Sequence, residues 1–389
     1  MTNDTLDGFA RAKLDSLEDE SLRRRLTVTE RHSAVEVTRG GRRLIDFSSN
    51  DYLGFSQHPK LKQAAQAATE TYGVGSTGSR LITGNHPLFQ DLEVRLAKLK
   101  SAEDCVVFGS GFLANSGIIP ALIGSGDVVF IDELSHACIF YGARLTMGAQ
   151  HIFRHNDMEH LSALLRAQRA DHPHALIVTD GVFSMDGDLA PLQTLSDLAG
   201  EHDAWLMTDD AHGIGVVGGG RGSSFADGRH VAVPLQMGTL SKAIGGYGGY
   251  LCASHAVCEL IRNRCRTFVY STGLPAGPIA AAIAALDLID ADPAYAARPL
   301  DLARTFTRML NLTAAESPIV PVVLGDTDHT LRAAAMLEED GFLVVPIRPP
   351  TVPEGTARLR ITFSAAHAAA DVERLAAAIR DRVLGGASL

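Results

Sequence analysis

Short apolar runs alternate with stretches of helical spacing between residues 87 and 253. The apolar runs are flanked by turn residues, and they are Cys105–Phe108, Val128–Ile131, Ile152–Phe153, Leu176–Val178 and Trp205–Met207. The helical stretches include Pro87–Lys100, Met158–Arg169 and Leu192–His202. Short uninterrupted apolar runs are typical of parallel strands that are buried on both faces. The alternation therefore predicts an α/β fold with a mostly parallel sheet flanked by helices, and ligands would bind at the carboxyl ends of its strands.

The two ends of the chain have a different character. Residues 1–30 form an amphipathic pattern with Phe9, Leu14, Leu17 and Leu22 on its apolar side, which predicts one helix that packs on the main body or on another subunit. After Pro275 the pattern changes to helices at 279–287, 300–315, 329–339 and 369–383 and strands at 319–324, 342–347 and 358–363. We therefore predict an N-terminal helical arm with a short strand (residues 1–45), a large α/β domain (46–275) and a smaller α+β domain (276–389).

The composition limits the kind of protein and its compartment. A formal net charge of −10 argues against a nucleic-acid or membrane-surface binder, because both need a basic face. No segment has the ~18 consecutive apolar residues of a membrane-spanning helix, and the N-terminus lacks the apolar core of a secretory signal. The five cysteines are odd in number and contain no CxxC pair. We therefore expect a cytoplasmic protein with no nucleic-acid or membrane partner.

Lys242 is the strongest candidate for a catalytic group. It lies among small residues and glycines in the segment 238–249, and Asp209 and His212 follow the apolar run Trp205–Met207. Pyridoxal phosphate needs a lysine for a Schiff base and an acid that faces its ring nitrogen. A lone lysine in a glycine-rich loop is ordinarily a surface residue, but the acid and the imidazole at a strand end favour this cofactor. His212 could then reach the phenolic oxygen of the ring.

Other polar residues also follow predicted strands. His136 comes after Val128–Ile131, where an imidazole could stack on a flat ring, although a lone histidine is more often structural. Ser184 comes after Leu176–Val178 and could hydrogen-bond a ring oxygen. Residues 108–115 join a strand to a helix, so that their backbone N–H groups could bind a phosphate. A turn eased by glycine is an equally good interpretation of that segment alone.

Three competing kinds of site have weaker support. Residues 73–78 match the pattern GxGxxG and suggest a nicotinamide-dependent oxidoreductase, but helical spacing at Leu61–Tyr72 precedes them where the pattern requires a strand. Serine hydrolase chemistry lacks a G-x-S-x-G turn. His151, His155 and His160 lack the H-E-x-x-H spacing of a metal site, so that we expect them on an exposed face and predict no metal.

Arginines in the C-terminal part form a candidate anion site. Arg348 precedes Pro349-Pro350-Thr351, and Arg358 and Arg360 lie two residues apart on a predicted strand. Residues two apart on a strand point to the same face, and arginine can bind a carboxylate through two parallel hydrogen bonds. These residues could therefore bind an acidic group of a substrate.

Taken together, these segments resemble the α-oxoamine synthases, which are fold-type I enzymes that use pyridoxal phosphate. The resemblance extends from residues 50–54 (Asn-Asp-Tyr-Leu-Gly) to residues 358–362 (Arg-Leu-Arg-Ile-Thr). Its most specific segment is 347–360, and residues 22–25 and 181–188 agree with it. The resemblance implies an acyltransferase with the fold of a fold-type I transferase, whose large domain binds pyridoxal phosphate. It also implies a homodimer with active sites at the subunit interface.

The resemblance implies roles for individual residues. Lys242 would bind the aldehyde carbon of the cofactor, Asp209 would face the pyridine nitrogen, and His136 would stack on the ring beside the substrate. The residues that contact the ring oxygen or the phosphate would be Ser184, His212, Gly111, Phe112 and Thr239, with Thr272 from a second subunit. The residues that bind the substrates would be Asn50 and Arg360 at the amino-acid carboxylate and Arg23, Arg348 and Thr351 near the acyl group.

Within the family, the segment 347–360 favours the member that condenses L-alanine with a pimeloyl thioester in biotin synthesis. The acyl carrier could be coenzyme A or acyl carrier protein. Members that use glycine, such as 2-amino-3-ketobutyrate ligase and 5-aminolevulinate synthase, are the alternative, because the accepted acyl length depends on the shape of the pocket. The chain departs from the family at Cys138, where serine is usual, and at Tyr141, where an acidic residue is usual.

Overall fold

The computed structural model describes residues 5–20, 22–226 and 228–385. Its strands are β1 (Thr29–Arg31), β2 (Glu36–Arg39), β3 (Arg42–Asp46), β4 (Asp104–Phe108), β5 (Val128–Asp132), β6 (Ala149–Phe153), β7 (Ala175–Asp180), β8 (Trp205–Asp209), β9 (Leu235–Thr239), β10 (Gly249–Ala253), β11 (Ile319–Gly325), β12 (Phe342–Leu343), β13 (Val345–Ile347) and β14 (Ala357–Thr362). Its α-helices are α1 (Leu6–Asp19), α2 (Pro59–Tyr72), α3 (Pro87–Lys100), α4 (Gly111–Leu122), α5 (Ala137–Arg144), α6 (Met158–Gln168), α7 (Leu192–Glu201), α8 (His255–Arg264), α9 (Arg266–Val269), α10 (Ala276–Ala291), α11 (Pro293–Met309), α12 (Thr327–Glu339) and α13 (Ala369–Ala378). Short turns of other helical types lie at Phe55–Gln57, Arg169–Asp171, Ser223–Phe225 and Ile379–Val383.

A seven-stranded sheet in the order β4-β10-β9-β8-β7-β5-β6 contains all five strands predicted between residues 87 and 253. β10 is antiparallel to both of its neighbours, and the other neighbouring pairs are parallel. β5 and β7 are buried along their whole length, as expected for strands that helices cover on both faces. The prediction of an α/β fold with a mostly parallel sheet is therefore confirmed.

Two strands of this sheet, β9 and β10, were not among the predicted strands. Both contain a glycine, a residue that is typical of loops when only the sequence is read. In the structure Gly238 of β9 lies against the ring of Tyr250 in β10, and a Cβ there would come within 2.4 Å of the tyrosine hydroxyl. Gly238 therefore does not mark a turn. A glycine is needed there because β9 and β10 pack too closely for a larger residue.

The helix α4 is positioned by the strand before it and by its own N-terminal cap. Ser110, which follows β4, accepts the backbone N–H of Leu113 on its hydroxyl over 3.2 Å. Such a cap satisfies one of the free N–H groups of the first helical turn. The cap holds the N-terminus of α4 at the carboxyl end of β4, which is the edge of the sheet where the other parallel strands also end.

The C-terminal part contains a three-stranded antiparallel sheet in the order β11-β14-β13. The prediction of one strand over residues 342–347 is wrong, because the chain changes partners at Val344. β12 pairs in parallel with β3 in the sheet β1-β2-β3-β12, whereas β13 pairs with β14. The first half of the segment hydrogen-bonds to β3 and the second half to β14, so that residues 342–347 join the two sheets.

The helix of the N-terminal arm is shorter than the predicted helix of residues 1–30, of which residues 1–4 and 21 lie outside the described residues. The helix α1 ends at Asp19 and contains no buried residue, and residues 29–31 form β1, which pairs with residues 37–39 of β2. The β-branched residues Thr27, Val28 and Thr29 favour an extended backbone over a helix. The predicted helix at 300–315 is also displaced, since α11 begins at Pro293, where Asp292 accepts the N–H of Tyr295, and ends at Met309.

Two further observations concern the division of the chain. The helix α10 lies after the proposed boundary at residue 275, and it packs against α2 in the part that we assign to the large domain. The division into an arm, a large domain and a small domain stays a prediction. None of the helices in the described ranges combines the length and the apolar character needed to cross a membrane.

Candidate active site

The carboxyl ends of neighbouring strands bring several polar side chains to one edge of the seven-stranded sheet. Asp180 at the end of β7 lies opposite Asp209 at the end of β8 in the strand register. Asp132 ends β5 and Thr239 ends β9 at the same edge. Since these strands run in the same direction, residues that are far apart in the sequence lie side by side here. This is the edge where α/β proteins bind ligands.

Lys242 faces a cavity of about 280 Å³ at this edge. The predicted site residues that line it are Asn50, His136, Ser184, His212, Lys242 and Arg360, and they are joined by Ser48, Met185, Val345 and Ile347. The loop that carries Lys242 packs against the turn at Phe55–Gln57, because a Cβ on Gly245 would come within 2.6 Å of the Ser56 nitrogen. Gly245 also has a φ of +70°, which a glycine adopts without strain.

A chain of hydrogen bonds runs from Lys242 to Arg360. Lys242 Nζ lies 2.6 Å from His212 Nε2, and His212 Nδ1 lies 2.6 Å from the hydroxyl of Tyr52. The Tyr52 hydroxyl donates to Asn50 Oδ1 over 3.2 Å, and both terminal nitrogens of Arg360 donate to the same oxygen over 3.2 Å. Because a lysine ammonium can only donate, these partners assign the proton of a neutral His212 to Nδ1.

Burial controls the protonation of this chain. It lowers the pKa of Lys242 to about 8, although Asp209 and Asp180 act in the opposite direction. Burial also lowers the pKa of His212 well below its ordinary value, and the positive charge of Lys242 adds to this effect. His212 is therefore a neutral imidazole at neutral pH. At neutral pH, Lys242 has a larger fraction of free amine than an ordinary lysine, and the free amine is the form that attacks a carbonyl carbon or accepts a proton.

Asp209 is buried and held by two hydrogen bonds. Asn115 Nδ2 donates to its Oδ2 over 2.7 Å, and the backbone N–H of Ala211 donates to its Oδ1 over 2.9 Å. Asp180, beside it, accepts the backbone N–H of His136 over 3.1 Å. Burial, and then the charge of Asp209, raises the pKa of Asp180 well above its ordinary value. Asp180 therefore holds its proton more readily than a free aspartate, which avoids a second negative charge beside Asp209.

His136 is oriented by the first turn of α5. Its Nδ1 accepts the backbone N–H of Cys138 over 3.2 Å and lies 2.8 Å from Cys138 Sγ, to which Asn115 Nδ2 donates over 3.1 Å. Burial lowers the pKa of His136 and raises the pKa of the Cys138 thiol to about 12. The thiol is therefore protonated and can donate to Nδ1 as a serine hydroxyl would. Cys138 therefore orients His136 through both its backbone N–H and its thiol.

The N-terminus of α4 lies beside Thr239. A Cβ added to Gly111 would lie 3.5 Å from Thr239 Oγ1 and 3.2 Å from the terminal carbon of Met237, so that a larger residue would crowd this place. The ring of Phe112 is half exposed and lies 5.3 Å from the ring of Tyr141. Backbone N–H groups at a helix N-terminus, together with the Thr239 hydroxyl, suit a phosphate group.

The loop after β7 is tied to β14 by two arginines. Arg360 Nε donates to the backbone oxygen of Ser184 over 2.5 Å, and Arg358 forms an ion pair with Asp186. Arg358 and Arg360 are both buried, and they point to the same side of β14, as the spacing predicts. Arg358 already has a carboxylate partner, whereas Arg360 faces the cavity with the neutral acceptors Asn50 and Ser184.

A second cavity of about 690 Å³ adjoins the first. Val345 and Ile347 line both of them. The second cavity is also lined by Arg23, Arg348 and Thr351, the residues that were predicted near the acyl group. The arm provides its apolar residues Leu14, Leu17 and Leu22. The structure therefore brings the predicted substrate residues to two neighbouring cavities with a common wall.

Two predicted features lie elsewhere. Thr272 is exposed, forms an isolated β-bridge with Ser79 and lines a different, small cavity, so that its role would require a second subunit and stays a prediction. The segment 73–78 follows the helix α2, and Gly73, with a φ of +82°, ends that helix. The dinucleotide-binding pattern requires a strand at this place. The nicotinamide interpretation is therefore wrong.

Several residues of the site were missed. Tyr52 and Asn115 enter the sequence analysis only within the longer segments 50–54 and 108–115, and Asp180 does not enter it. The position of Asp180 at the end of β7 was the one signal that could have indicated it, since Asp209 occupies the same place on β8. The other two act through partners that the sequence does not place near them.

The expectation that His151, His155 and His160 lie on an exposed face is wrong. All three are partly buried because each has a specific neighbour. The ring of His151 stacks on Phe130, and His160 Nδ1 accepts the backbone N–H of Arg154 over 3.0 Å. His155 lies between two carboxylates, at 3.1 Å from Asp132 and 2.8 Å from Asp188.

The residues at the sheet edge fit pyridoxal phosphate. Lys242 provides an amine with a lowered pKa for the aldehyde, and Asp209 provides a buried carboxylate for the ring nitrogen. The backbone N–H groups at the N-terminus of α4, beside Thr239, suit the phosphate, although these residues are not among those that line the cavity of Lys242. The individual roles of these residues stay predictions, but the set contains each kind of group that the cofactor requires.

Known proteins share this fold and this chemistry. The family model for aminotransferase class I and II matches residues 42–379. The 8-amino-7-oxononanoate synthase of Granulibacter bethesdensis is 57% identical over 376 residues, which are 97% of each chain. A serine palmitoyltransferase from S. paucimobilis with bound PLP has a TM-score of 0.92 at 29% identity and covers 99% of this chain and 100% of that chain.

A solved 8-amino-7-oxononanoate synthase from Francisella tularensis is also similar. Its TM-score is 0.75 at 26% identity, over 88% of this chain and 98% of that chain. The family model, the full-length relative and the solved structures agree on a fold-type I transferase that depends on pyridoxal phosphate. The chain therefore belongs to the class I and II aminotransferase family and, within it, to the 8-amino-7-oxononanoate synthases.

Proposed function

We propose that the protein condenses L-alanine with a pimeloyl thioester, with loss of CO2 and release of the free thiol of the carrier, to form 8-amino-7-oxononanoate for biotin synthesis. The carrier is coenzyme A or acyl carrier protein. The observation that carries the proposal is the pair of adjoining cavities, one lined by Lys242 and Arg360 and the other by Arg23 and Arg348. The names of the relatives support the same reaction.

When bound, pyridoxal phosphate supplies an electrophilic carbon for amines and an electron-withdrawing ring that stabilises negative charge at the Cα of the amino acid. Asp209 would face the ring nitrogen, and its carboxylate is held in place by Asn115 and by the N–H of Ala211. Burial and the charge of Asp209 favour the protonated form of Asp180, which would leave Asp209 as the carboxylate for the ring nitrogen. His136 would cover one face of the ring, while Gly111, Phe112 and Thr239 would hold the phosphate.

Lys242 moves the proton at the alanine Cα. An amine with a pKa of about 8 can accept a proton near neutral pH, whereas an ordinary lysine is almost entirely protonated there. After the transfer, Lys242 Nζ donates to His212 Nε2, and Tyr52 holds the other nitrogen of that ring. This chain fixes the direction of the lysine side chain, so that the same nitrogen can return a proton to the carbon.

Arg360 binds the carboxylate of alanine. Its terminal nitrogens donate to Asn50 Oδ1, which is neutral, and a carboxylate is a stronger acceptor for a guanidinium group. Ser184 holds Arg360 Nε through its backbone oxygen, which leaves the planar fork directed to the cavity. The amino acid is therefore held by its carboxylate in the same cavity that Lys242 lines.

The second cavity suits the acyl donor. A pimeloyl group is a long apolar chain that ends in a carboxylate. Leu14, Leu17 and Leu22 provide apolar surface, and Arg23 and Arg348 provide positive charge. Val345 and Ile347, which line both cavities, place the donor next to alanine.

We also propose that the protein is a homodimer in the cytoplasm. Phe112 and Tyr141, whose rings lie 5.3 Å apart at the N-terminus of α4, leave 48% and 49% of their surface exposed, and a second subunit would cover such apolar residues. A second subunit would also provide Thr272. The five cysteines are all free and buried, which suits a reducing compartment. Sedimentation of the purified protein tests the dimer.

The reaction is tested by the release of free thiol. Purified protein loaded with pyridoxal phosphate is given L-alanine and pimeloyl-coenzyme A, and the released thiol and CO2 are measured. Parallel reactions contain pimeloyl-acyl carrier protein, glycine with acetyl- or succinyl-coenzyme A, and serine with palmitoyl-coenzyme A. The serine reaction is included because a serine palmitoyltransferase has the TM-score of 0.92.

Release that needs both alanine and a pimeloyl donor supports the proposal, and the better donor identifies the carrier. Release only with glycine or only with serine would assign the protein to a sister activity. No release from any pair, in a protein that has bound the cofactor, would overturn the proposed reaction.

A further inference from the structure

His155 connects three neighbouring strand ends. It follows β6, and its ring lies 3.1 Å from Asp132 Oδ1 at the end of β5 and 2.8 Å from Asp188 Oδ2 in the loop after β7. Its ring also meets the edge of Phe183 at 4.3 Å between centroids. Asn156 strengthens the connection, because its N–H donates to Asp132 Oδ2 over 2.9 Å and its amide donates to Asp188 Oδ2 over 3.0 Å.

The two carboxylates belong to loops that carry proposed cofactor contacts. The first, here called the His136 loop, comprises residues 132–136. The second, here called the Ser184 loop, comprises residues 181–188. Asp132 also accepts the N–H of Leu134 over 2.9 Å and so shapes the His136 loop from within. His155 contacts neither cavity, and any effect that it has on the cofactor must pass through these loops.

His155 is charged at neutral pH. Burial lowers its pKa, but the hydrogen bonds to Asp132 and Asp188 outweigh burial and raise the pKa to about 10. Both ring nitrogens therefore carry protons and donate, whereas a neutral imidazole donates from one nitrogen only. Glu133, in the His136 loop, accepts the backbone N–H of His155 over 2.8 Å. The other nearby charged or titratable groups have partners elsewhere, and they are Arg154, Asp157, His160 and Glu316.

We propose that His155 is a positioning residue for the cofactor site, which ties the His136 loop to the Ser184 loop and so fixes the relative orientation of the two side chains that contact the cofactor ring. The proposal rests on the proposed function only for the roles of His136 and Ser184. The tie consists of two charge-assisted hydrogen bonds from the His155 ring to Asp132 and Asp188. Because the ring is partly buried, these bonds are stronger than an exposed ion pair.

The test compares His155→Gln with His151→Gln. Glutamine is neutral and has both of its donor hydrogens on one nitrogen, so it cannot reproduce the two charge-assisted bonds that the ring makes from opposite sides. His151 is a matched control because it lies on β6 and stacks on Phe130. Three quantities are measured: the Kd of pyridoxal phosphate for the cofactor-free protein, hydrogen exchange of the cofactor-free protein in the two loops, and visible circular dichroism of the bound cofactor. The last two report loop and ring orientation without reference to turnover.

For His155→Gln we expect a rise in the cofactor Kd of about tenfold, since a hydrogen bond to a charged group is lost. We also expect faster exchange in both loops and a weaker dichroic signal, and His151→Gln should leave all three within about twofold of the unmodified protein. Unchanged exchange in the two loops, or acceleration spread evenly over the whole protein, would overturn the proposal.

If His155→Gln does not fold, Asp188→Asn provides the test, because it keeps the bond to Asp132 and removes one charge. Exchange should then accelerate in the Ser184 loop, and an unchanged rate there would count against the tie. The thiol-release assay separates this inference from the proposed function. If the unmodified protein releases no thiol but His155→Gln loosens the two loops, only the proposed reaction is rejected. If the unmodified protein releases thiol but His155→Gln leaves loop exchange and the cofactor Kd unchanged, only the role of His155 is rejected.

Discussion

The two cavities of the site differ in how their polar groups are held. In the cavity of Lys242, the functional side chains are linked by hydrogen bonds to partners on other elements, such as His212 to Tyr52 and Arg360 to Ser184. In the second cavity, Arg23 is exposed, and its ion pair is with Glu18 of the same arm. The first cavity is therefore part of the packed interior, whereas the arm that lines the second contains no buried residue in α1.

This difference suits two separate tasks, which are chemistry in the first cavity and binding of the acyl group in the second. Groups that must change the protonation or the charge of a reacting atom need burial, because burial is what lowers the pKa of Lys242 to about 8. Groups that recognise a long acyl chain can lie on a thinly packed arm, since binding needs contact and charge but no perturbed pKa. We therefore expect changes in the first cavity to reduce the rate or amino-acid binding, and changes in the second to affect the acyl donor.

The largest effect is expected for Lys242→Ala, which removes the base. Thiol release at saturating substrates should fall by at least about 10³-fold, within the range for loss of a general base. Lys62→Ala is the matched control, because that lysine is exposed and donates to Gln57. Turnover that survives the loss of Lys242 would refute the assignment of the first cavity as the reacting one.

Arg360→Lys keeps the charge and removes the planar fork. We expect the KM for L-alanine to rise about 10- to 100-fold, because charged hydrogen bonds to a carboxylate are lost, while the KM for the acyl donor stays the same. Steady-state kinetics with each substrate varied in turn measures both values. A parallel rise in the two KM values would mean that Arg360 supports the site as a whole and does not recognise the amino acid.

The pH dependence of cofactor capture tests the burial of Lys242. Its pKa of about 8 lies below that of an ordinary lysine, so the reactive amine fraction increases as the pH rises through 8 and then levels off. The rate at which the cofactor-free protein captures pyridoxal phosphate, followed by absorbance, should therefore increase about tenfold between pH 7 and pH 9. A capture rate that keeps rising until the pH reaches the pKa of a free lysine would show that burial does not lower the pKa of Lys242, and it would remove this difference between the two cavities.

Arg23→Ala should have the smallest effect of the four. We expect the KM for the pimeloyl donor to rise about fivefold or less, with kcat, the KM for alanine and the melting temperature unchanged, because an exposed charge contributes little. Arg11→Ala, in helix α1 of the same arm, is the control. A loss of kcat or of cofactor binding in Arg23→Ala would mean that the arm takes part in the chemistry and would remove the contrast between the cavities.

The residues that could be predicted from the sequence share one property. Asp209, His136 and Ser184 each follow an apolar run, and the end of a buried parallel strand is a place where polar side chains have a reason to occur. The sheet then brings these loops together, and Lys242 lies in the same cavity as two of them. Thr272 and Arg23 had no such signal, and they entered only through the resemblance to a family.

The residues that were missed act through distant partners. Tyr52 contacts His212 over a separation of 160 residues, and Asn115 contacts Asp209 over 94. His155 was expected to be exposed because its spacing from His151 and His160 fits no metal site, and the two carboxylates that hold it lie 23 and 33 residues away. Such contacts depend on which strands become neighbours in the sheet. The local sequence pattern of a strand does not predict which strands will lie beside it.

The change of partner at Val344 has a consequence for how selectivity can diverge among relatives. Val345 and Ile347 of β13 form a wall common to both cavities, and the same segment is attached to β3 on one side and to β14 on the other. Larger side chains at these positions would take space from the amino acid and from the acyl group at once. Under the proposed function, a substitution in this wall would therefore alter the choice of both substrates, whereas a substitution of Arg23 or of Arg360 would alter the choice of one substrate alone.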